Sequence, residues 1–214
     1  MSKYQISETT YETLKNKYAK YGSWALWQRA TTAKKLKKAE CGIDTFIPQL
    51  GNNTFRQNNL TSAGILLALN WASRGSYGNL DWVNFHDTRN SSQDYKVAQM
   101  LLGTPFEGCY MTDIIKNFPK TDGANAAKTV KQPENIDQLE TNAAMLQDEI
   151  NIIKPQYLIM FGQETEALVK LIQKRQLLQL NQIQCVEIEH YASRTLSYTK
   201  MAAITDRLNQ LPLI

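Results

Sequence analysis

The sequence predicts an α/β fold, a three-layer α/β/α sandwich with a central four-stranded parallel sheet. Short apolar runs of strand length alternate with amphipathic stretches of helical length over residues 64–208, and turn or polar residues bound most of the runs. Parallel strands need long crossover connections, and helical crossovers cover both faces of a sheet. This alternation decides the predicted fold class.

Four of the apolar runs are predicted to be strands. They cover residues 64–69, 108–115, 156–161 and 184–188. Each has the length of a strand and is rich in Ile, Leu, Val, Met or Tyr. The sheet is therefore expected to be apolar on both faces, as a buried parallel sheet is.

Helices are predicted between and after these runs. One covers residues 94–102, and a longer one follows Pro133 with apolar residues at three- and four-residue spacing. A third passes through residues 168–172, and the last covers residues 200–208. These helices supply the two outer layers of the sandwich.

The N-terminal part is predicted to be a helical and loop extension over residues 1–60, within one domain that covers residues 1–214. Residues 8–30 carry apolar side chains at helical spacing, which indicates a helix that packs on the end of the core. This stripe consists of Tyr11, Leu14, Tyr18, Tyr21, Trp24 and Trp27. We predict a loop over residues 51–59 and a mobile connection over the small, polar residues 120–131.

Length and composition place the chain among soluble globular proteins. Its 214 residues are 43% hydrophobic and 21% charged, and no apolar run approaches the length of a membrane-spanning helix. The N-terminus lacks the apolar segment of a secretory signal. We expect a cytoplasmic monomer that has no membrane partner.

Positive charge is concentrated in the first 40 residues. The net charge is +4, and residues 1–40 hold nine Lys and Arg against three Glu. Residues 34–38, Lys-Lys-Leu-Lys-Lys, are a candidate phosphate-binding patch, although such a run is commonly only a solvated face of a helix.

The three cysteines argue against several kinds of site. Cys41, Cys109 and Cys185 are odd in number and form no C-x-x-C pair. This disfavours a disulfide framework, a zinc site and an iron–sulfur cluster, and it fits a reducing cytoplasm. We expect no metal and no other cofactor.

Residues near the carboxyl ends of the predicted strands are the candidates for chemistry, because ligands of open parallel sheets bind at that edge. Asn70 follows the first strand, Asp113 lies late in the second, and His190 follows the fourth. The dinucleotide, nucleoside-triphosphate, zinc-protease and α/β-hydrolase motifs are absent from the sequence. An amide, a carboxylate and an imidazole therefore remain as the candidate groups.

The order of these residues resembles the uracil-DNA glycosylase superfamily over roughly residues 64–196. Residues 69–72, Leu-Asn-Trp-Ala, are similar to the G-x-N-P-G motif but lack its proline. Residues 190–193, His-Tyr-Ala-Ser, keep the histidine of H-P-S-P, and residues 110–116 resemble the T-N-x-x-K strand with Asp113 in place of its asparagine.

The resemblance implies a DNA N-glycosylase that hydrolyses the bond to a flipped uracil or other damaged base. Asn70 would orient the attacking water, and His190 would donate a hydrogen bond to the base O2 as negative charge builds there. Asp113 would bind the pairing edge of the base, with Phe85 stacked under it. Leu69 and Trp71, on either side of Asn70, would complete the base pocket.

Four further residues are predicted to contact DNA. They are Arg74, Lys116, Ser193 and Arg194. Arg194 lies where the family places a wedge that fills the gap left by the flipped base, and an arginine there can also hold phosphate. The expected partner is single- or double-stranded DNA, or a free base or nucleotide.

Each of these residues also has an ordinary structural interpretation. His190 can cap or pack at a strand end, Asn70 can serve a turn, and Asp113 can form a salt bridge with a nearby lysine. Phe85 can be plain core packing. The alternative function is a non-catalytic protein that binds nucleic acid, a nucleobase or a nucleotide, and a third is another enzyme on the same sheet.

Overall fold

Strands form one mixed sheet in the computed structural model, which describes residues 4–27, 47–71, 80–116 and 123–214. The strands are β1 (Ser23–Trp24), β2 (Thr61–Asn70), β3 (Cys109–Ile115), β4 (Tyr157–Phe161) and β5 (Gln184–Ile188). Their order across the sheet is β1-β3-β2-β4-β5. Strands β2 to β5 are parallel to one another, and β1 pairs antiparallel with β3 at the edge.

The four predicted strands are confirmed, and a fifth was not predicted. β5 has the predicted bounds, whereas β2 begins at Thr61, three residues before its predicted start. Thr61 and Ser62 at the start of β2 are polar and only half-buried, so the apolar run alone did not reveal them. β2 is central, and its Leu66 lies beside Met111 of β3 and Ile159 of β4.

Helices cover both faces of this sheet. They are α1 (Glu8–Tyr18), α2 (Asn53–Asn59), α3 (Tyr95–Leu101), α4 (Gly123–Val130), α5 (Ile136–Ile153), α6 (Gln163–Lys174) and α7 (Tyr198–Asn209). Apolar residues of α1, α4, α5 and α6 form one core cluster, and those of α3 and α7 form the other. The described residues therefore have the three layers predicted, and none of their helices is long and apolar enough to cross a membrane.

The prediction of one helix over residues 8–30 is wrong. The helix ends at Tyr18, and the chain turns so that Ser23 and Trp24 pair with β3. A side chain at Gly22 would meet the Tyr110 ring, with its Cβ 2.3 Å from the Tyr110 hydroxyl oxygen. The helical spacing of the aromatic residues continued past this turn by coincidence.

Two predicted loops contain helices. Within residues 51–59, α2 begins after Asn52, whose side chain accepts a hydrogen bond from the Phe55 N–H at 3.3 Å. Within residues 120–131, α4 is an ordered helix that buries Ala126, Ala127 and Val130 against the sheet. Both predictions interpreted polar and small residues as irregular structure. Instead, an N-cap stabilises α2, and burial of a small apolar face stabilises α4.

A buried ion pair ties the carboxyl end of β3 to α5. Lys116 and Glu149 are both fully buried, and the ammonium lies 2.8 Å from Glu149 Oε2. The hydroxyls of Tyr110 and Thr112 donate to Glu149 Oε1 at 2.8 and 2.9 Å. Burying two charges is costly unless both are paired and hydrogen-bonded, and here both are.

Replacing Lys116 with Met should destabilise the protein strongly, because it leaves the Glu149 carboxylate buried without its cation. We expect a loss of about 3–5 kcal/mol in the free energy of unfolding, measured by urea denaturation. The matched control is Lys17→Met, which breaks the exposed pair with Asp148 and should cost at most about 1 kcal/mol. Similar losses in the two variants would contradict the role assigned to the buried pair.

Candidate functional site

A cleft of about 570 Å³ lies at the carboxyl ends of β2, β4 and β5. Leu69 and Phe161 supply apolar surface, and the first turn of α6 lines the cleft together with Gly162. His190 and Ser193, from the segment after β5, also line it. The volume lies in the range of pockets that bind small organic ligands, such as a single nucleobase.

The hydrogen bonds of His190 determine which of its ring nitrogens carries the proton. Its Nδ1 accepts a hydrogen bond from the backbone N–H of Ala192 at 3.0 Å. In the neutral ring the proton is therefore on Nε2, which is a donor. Burial lowers the pKa of His190, so the neutral imidazole is favoured near pH 7.

Gly162 makes room for this histidine. It has φ +86° and ψ 159°, a conformation that is essentially restricted to glycine. A Cβ on Gly162 would lie 2.9 Å from the Cβ of His190, closer than real Cβ atoms approach. A glycine directly after a predicted strand was a signal for such a close approach, but the sequence interpretation assigned it no role.

Asp113 is held by Asn84, a residue that the sequence analysis did not single out. The Asp113 side chain is buried, and its Oδ2 accepts a hydrogen bond from Asn84 Nδ2 at 2.7 Å. Lys116 donates to the backbone carbonyl of Asp113 and pairs with Glu149, so Lys116 is not the lysine of the alternative Asp113–lysine salt bridge.

Burial raises the pKa of Asp113 to about 7. The hydrogen bond from Asn84 and the Lys116 ammonium lower it in part, whereas the carboxylates of Asp94 and Glu149 raise it further. Desolvation is the largest cause, because a charged carboxylate is disfavoured where water is excluded. Near neutral pH the Asp113 side chain can therefore be protonated, in which case it can donate a hydrogen bond, or ionised, in which case it can only accept one.

The loop that carries Asn84 is fastened to the N-terminal segment. Asn84 Nδ2 also donates to the Tyr21 carbonyl at 2.8 Å, and the Trp82 N–H donates to the Ala19 carbonyl at 2.8 Å. Trp82 and Phe85 have φ of 63° and 66°, which are unfavourable for residues with side chains. Such strain persists only where surrounding contacts impose it, and the N-terminal segment supplies these contacts.

An aromatic cluster connects Phe85 with His190. The Tyr191 ring stacks on the His190 ring, with 4.5 Å between the ring centroids. It also meets two phenylalanine rings edge-on, Phe85 at 6.1 Å and Phe161 at 5.4 Å between centroids. Phe85 itself is 3% exposed. In this conformation Phe85 therefore packs in the core beside Tyr191.

The two residues at the end of β2 lie in different surroundings. Asn70 is opposite Ile115 of β3, and its side-chain carbonyl oxygen is buried. Trp71 is buried, and its ring packs edge-on against that of Tyr21 with 5.3 Å between the ring centroids, so Trp71 supports the N-terminal segment. Neither is among the residues that line the cleft, whereas the neighbouring Leu69 is.

The predicted DNA contacts have different outcomes. Lys116 is fully buried in its ion pair, so the prediction that it contacts phosphate is wrong for this conformation. Ser193 donates its hydroxyl proton to Glu189 Oε1 at 2.7 Å, while Arg194 is exposed. Arg74 lies outside the described residues, as do the basic run 34–38 and Cys41.

Carboxylates dominate the charge of the cleft. Glu164, Glu187 and Glu189 line it, and none of the described lining residues is Lys or Arg. A phosphate inside the cleft would be repelled, whereas an uncharged base would not. Within the described parts of the chain, no group of three or more His, Cys, Asp or Glu side chains could hold a metal ion.

Replacing Gly162 with Ala should displace His190, because the new methyl group overlaps the histidine Cβ. We expect the NMR signals of the His190 ring to shift and the protein to lose stability. Gly103→Ala is the control, since Gly103 also has a positive φ but has open space around it. If both variants leave the His190 signals unchanged, the close approach does not fix the ring.

Replacing Asp113 with Asn should change how stability depends on pH. The unfolded chain loses this proton near pH 3.8 and the folded chain near pH 7, so wild-type stability falls between these values as pH rises. Asn does not ionise and can still accept from Asn84. Relative to wild type, Asp113→Asn should gain up to about 4 kcal/mol between pH 4 and pH 7, with no further gain above pH 7.

Urea denaturation at intervals from pH 4 to pH 8 measures this difference, and contributions of other groups cancel in the comparison. A difference between the two proteins that is the same at every pH would contradict the shifted ionisation of Asp113.

The likeness to a glycosylase site concerns a few residues at the carboxyl edge of the sheet, and it stays a prediction. The cleft, the hydrogen bond that His190 Nδ1 accepts and the buried Asp113 are the structural features that bear on function. Comparison of the chain with protein-family models and with curated proteins finds no match.

Proposed function

We propose that this chain is a uracil-DNA glycosylase-like protein whose cleft takes a nucleobase and hydrolyses its N-glycosidic bond. The observation that carries the proposal is the hydrogen bond from the Ala192 N–H to His190 Nδ1, which leaves Nε2 to carry the proton of the neutral ring at the wall of a cleft of base size. A neutral donor is suited to a leaving base, because it stabilises developing negative charge without needing to give up its proton.

In the proposed reaction, the bond between C1′ of the sugar and the base nitrogen breaks, and its electron pair stays on the base. Negative charge spreads to the base O2, to which His190 Nε2–H donates. The water oxygen bonds to C1′, one water proton goes to solvent, and the released base takes up a proton from solvent.

Asn70 is proposed to orient the attacking water. Its side-chain carbonyl oxygen can accept a hydrogen bond from that water, but an amide cannot take up the proton as a carboxylate can. We therefore expect slower chemistry than a carboxylate at this position would give. Asn70 does not line the cleft, although the neighbouring Leu69 does, so this role requires the Asn70 side chain to move toward the cleft on binding.

Asp113 is proposed to select the base; it is buried and does not line the cleft, so this role requires a rearrangement on binding that brings the base and Asp113 together. A protonated carboxyl donates to a carbonyl oxygen such as uracil O4, whereas the ionised form can only accept, for example from an exocyclic amine. With a pKa of about 7, both forms are available near neutral pH. Phe85 would need to leave its packing beside Tyr191 to stack under the base.

The test is abasic-site formation on oligonucleotides that carry uracil, hypoxanthine, xanthine or cytosine, single- and double-stranded. Base release should occur with at least one substrate, and His190→Ala should reduce it by about 10²–10³-fold, as removal of one oxyanion donor does elsewhere. Asn70→Ala should also reduce it. Arg175→Ala, which changes an exposed residue at the far end of α6, is the control and should retain activity.

No release from any substrate by the folded wild-type protein would contradict the proposal. So would release that His190→Ala leaves unchanged, since the reaction would then not use this cleft.

A second candidate is a non-catalytic protein that binds a nucleobase or nucleoside. The acidic lining favours it, because Glu164, Glu187 and Glu189 disfavour phosphate near the cleft. Calorimetric titration with free bases, nucleosides and nucleotides distinguishes the two: binding of a base or nucleoside, without release from any oligonucleotide, would favour the second candidate.

A further inference from the structure

We propose that Glu189 is a positioning residue that holds His190 in the tautomer with the proton on Nε2. Glu189 directly precedes His190, and its carboxylate organises the turn over residues 189–195. The kinetic consequence of this proposal rests on the proposed function, whereas the effect on the tautomer does not.

Both oxygens of the Glu189 carboxylate are occupied by donors from this region. Oε1 accepts the hydroxyls of Ser193 and Thr195 at 2.7 and 2.6 Å. Oε2 accepts from the Lys200 ammonium, in the first turn of α7, at 3.0 Å. The carboxylate therefore ties the two hydroxyl residues of the turn to the adjacent helix.

Two hydrogen bonds connect this turn to His190. The Ser193 N–H donates to the His190 carbonyl at 2.8 Å, and the Ala192 N–H donates to His190 Nδ1 at 3.0 Å. The second bond exists only while the backbone at Ala192 keeps its place beside the ring. Because Glu189 fixes Ser193 by its hydroxyl, it also fixes the neighbouring N–H that occupies Nδ1.

Other elements support the same turn. The Lys96 ammonium, from α3, donates to the Ser193 carbonyl at 3.4 Å, and the Thr195 N–H donates to the Ser193 hydroxyl oxygen at 3.2 Å. Without Glu189, the Ser193 and Thr195 hydroxyls lose their common acceptor and the Lys200 ammonium loses its partner. The remaining bonds would then allow Ala192 to move away from the ring.

Glu189 is a poor candidate for a base that acts on substrate directly. Hydrogen bonds from Thr195, Ser193 and Lys200 lower its pKa to about 2, so it has little tendency to take up a proton near pH 7. Its lining of the cleft is therefore better explained by its hold on the histidine than by a proton transfer of its own.

The test is the tautomer of His190, read from imidazole ¹⁵N chemical shifts of the full chain at pH 8 without substrate. Wild type should have the proton on Nε2. Glu189→Ala should lose this preference and give a mixture of the two tautomers, whereas Glu189→Gln keeps an oxygen for the two hydroxyls and should preserve it. The matched control is Glu187→Ala, which removes a carboxylate from the same cleft and should leave the tautomer unchanged.

Retention of the Nε2–H tautomer in folded Glu189→Ala would overturn the proposal, and so would its loss in Glu187→Ala. If Glu189→Ala does not fold, Thr195→Val removes one hydroxyl donor at nearly constant shape. The population of the Nε2–H tautomer should then fall, and an unchanged population would overturn the proposal. Where base release is measurable, Glu189→Ala should lower kcat on the order of 10²-fold with little change in KM. Failure of base release in wild type, with the tautomer results as expected, would count against the proposed function alone.

Discussion

Parallel pairing on both sides of β2 is the constraint on which the rest of the structure depends. β3 and β4 are hydrogen-bonded to β2 in the same direction, and β5 continues the series beyond β4. All four carboxyl ends therefore lie at one edge, and the segments that leave them are brought together. The cleft, the turn after β5 and the buried carboxyl group of β3 are consequences of this alignment.

Packing at this edge requires the charged groups to be paired within the protein. Lys116 leaves β3 into the interior, and its charge is balanced by Glu149 of α5. Asp113, three residues earlier, accepts a hydrogen bond from the neutral Asn84, and its burial makes it hard to ionise. Two ionisable side chains three residues apart thus have different partners, a charged one for Lys116 and an uncharged one for Asp113.

Much of the fold could be predicted from the sequence, because burial on both faces leaves near-continuous apolar runs that are easy to see. The strands around Leu66, Met111 and Ile159 were found for this reason, whereas β5 buries only Val186 and Ile188. The edge strand at Ser23 was missed since two residues carry no periodic signal, and α4 was missed because its buried face consists largely of alanines. Local patterns do not report pairing between distant segments.

The candidate site could be predicted only as a location. The positions of His190 and Leu69 at the cleft follow from strand ends, which the sequence reveals. The partners that determine their chemistry, such as Asn84 for Asp113 and the Ala192 N–H for His190, depend on how loops fold back. For Lys116 the sequence predicted the wrong environment. A lysine near a strand end suggested a contact at the surface, whereas its side chain points into the core.

The short strand β1 has a consequence beyond holding the loop of Asn84. It pairs with Tyr110 and Met111, at the outer side of a strand whose seven residues are all buried. An uncovered strand of this kind is a template for pairing with the same strand of another molecule, which is a common route to aggregation. The N-terminal segment therefore also protects this part of the sheet edge from pairing with another molecule, a role that Ser23 and Trp24 have independently of any ligand.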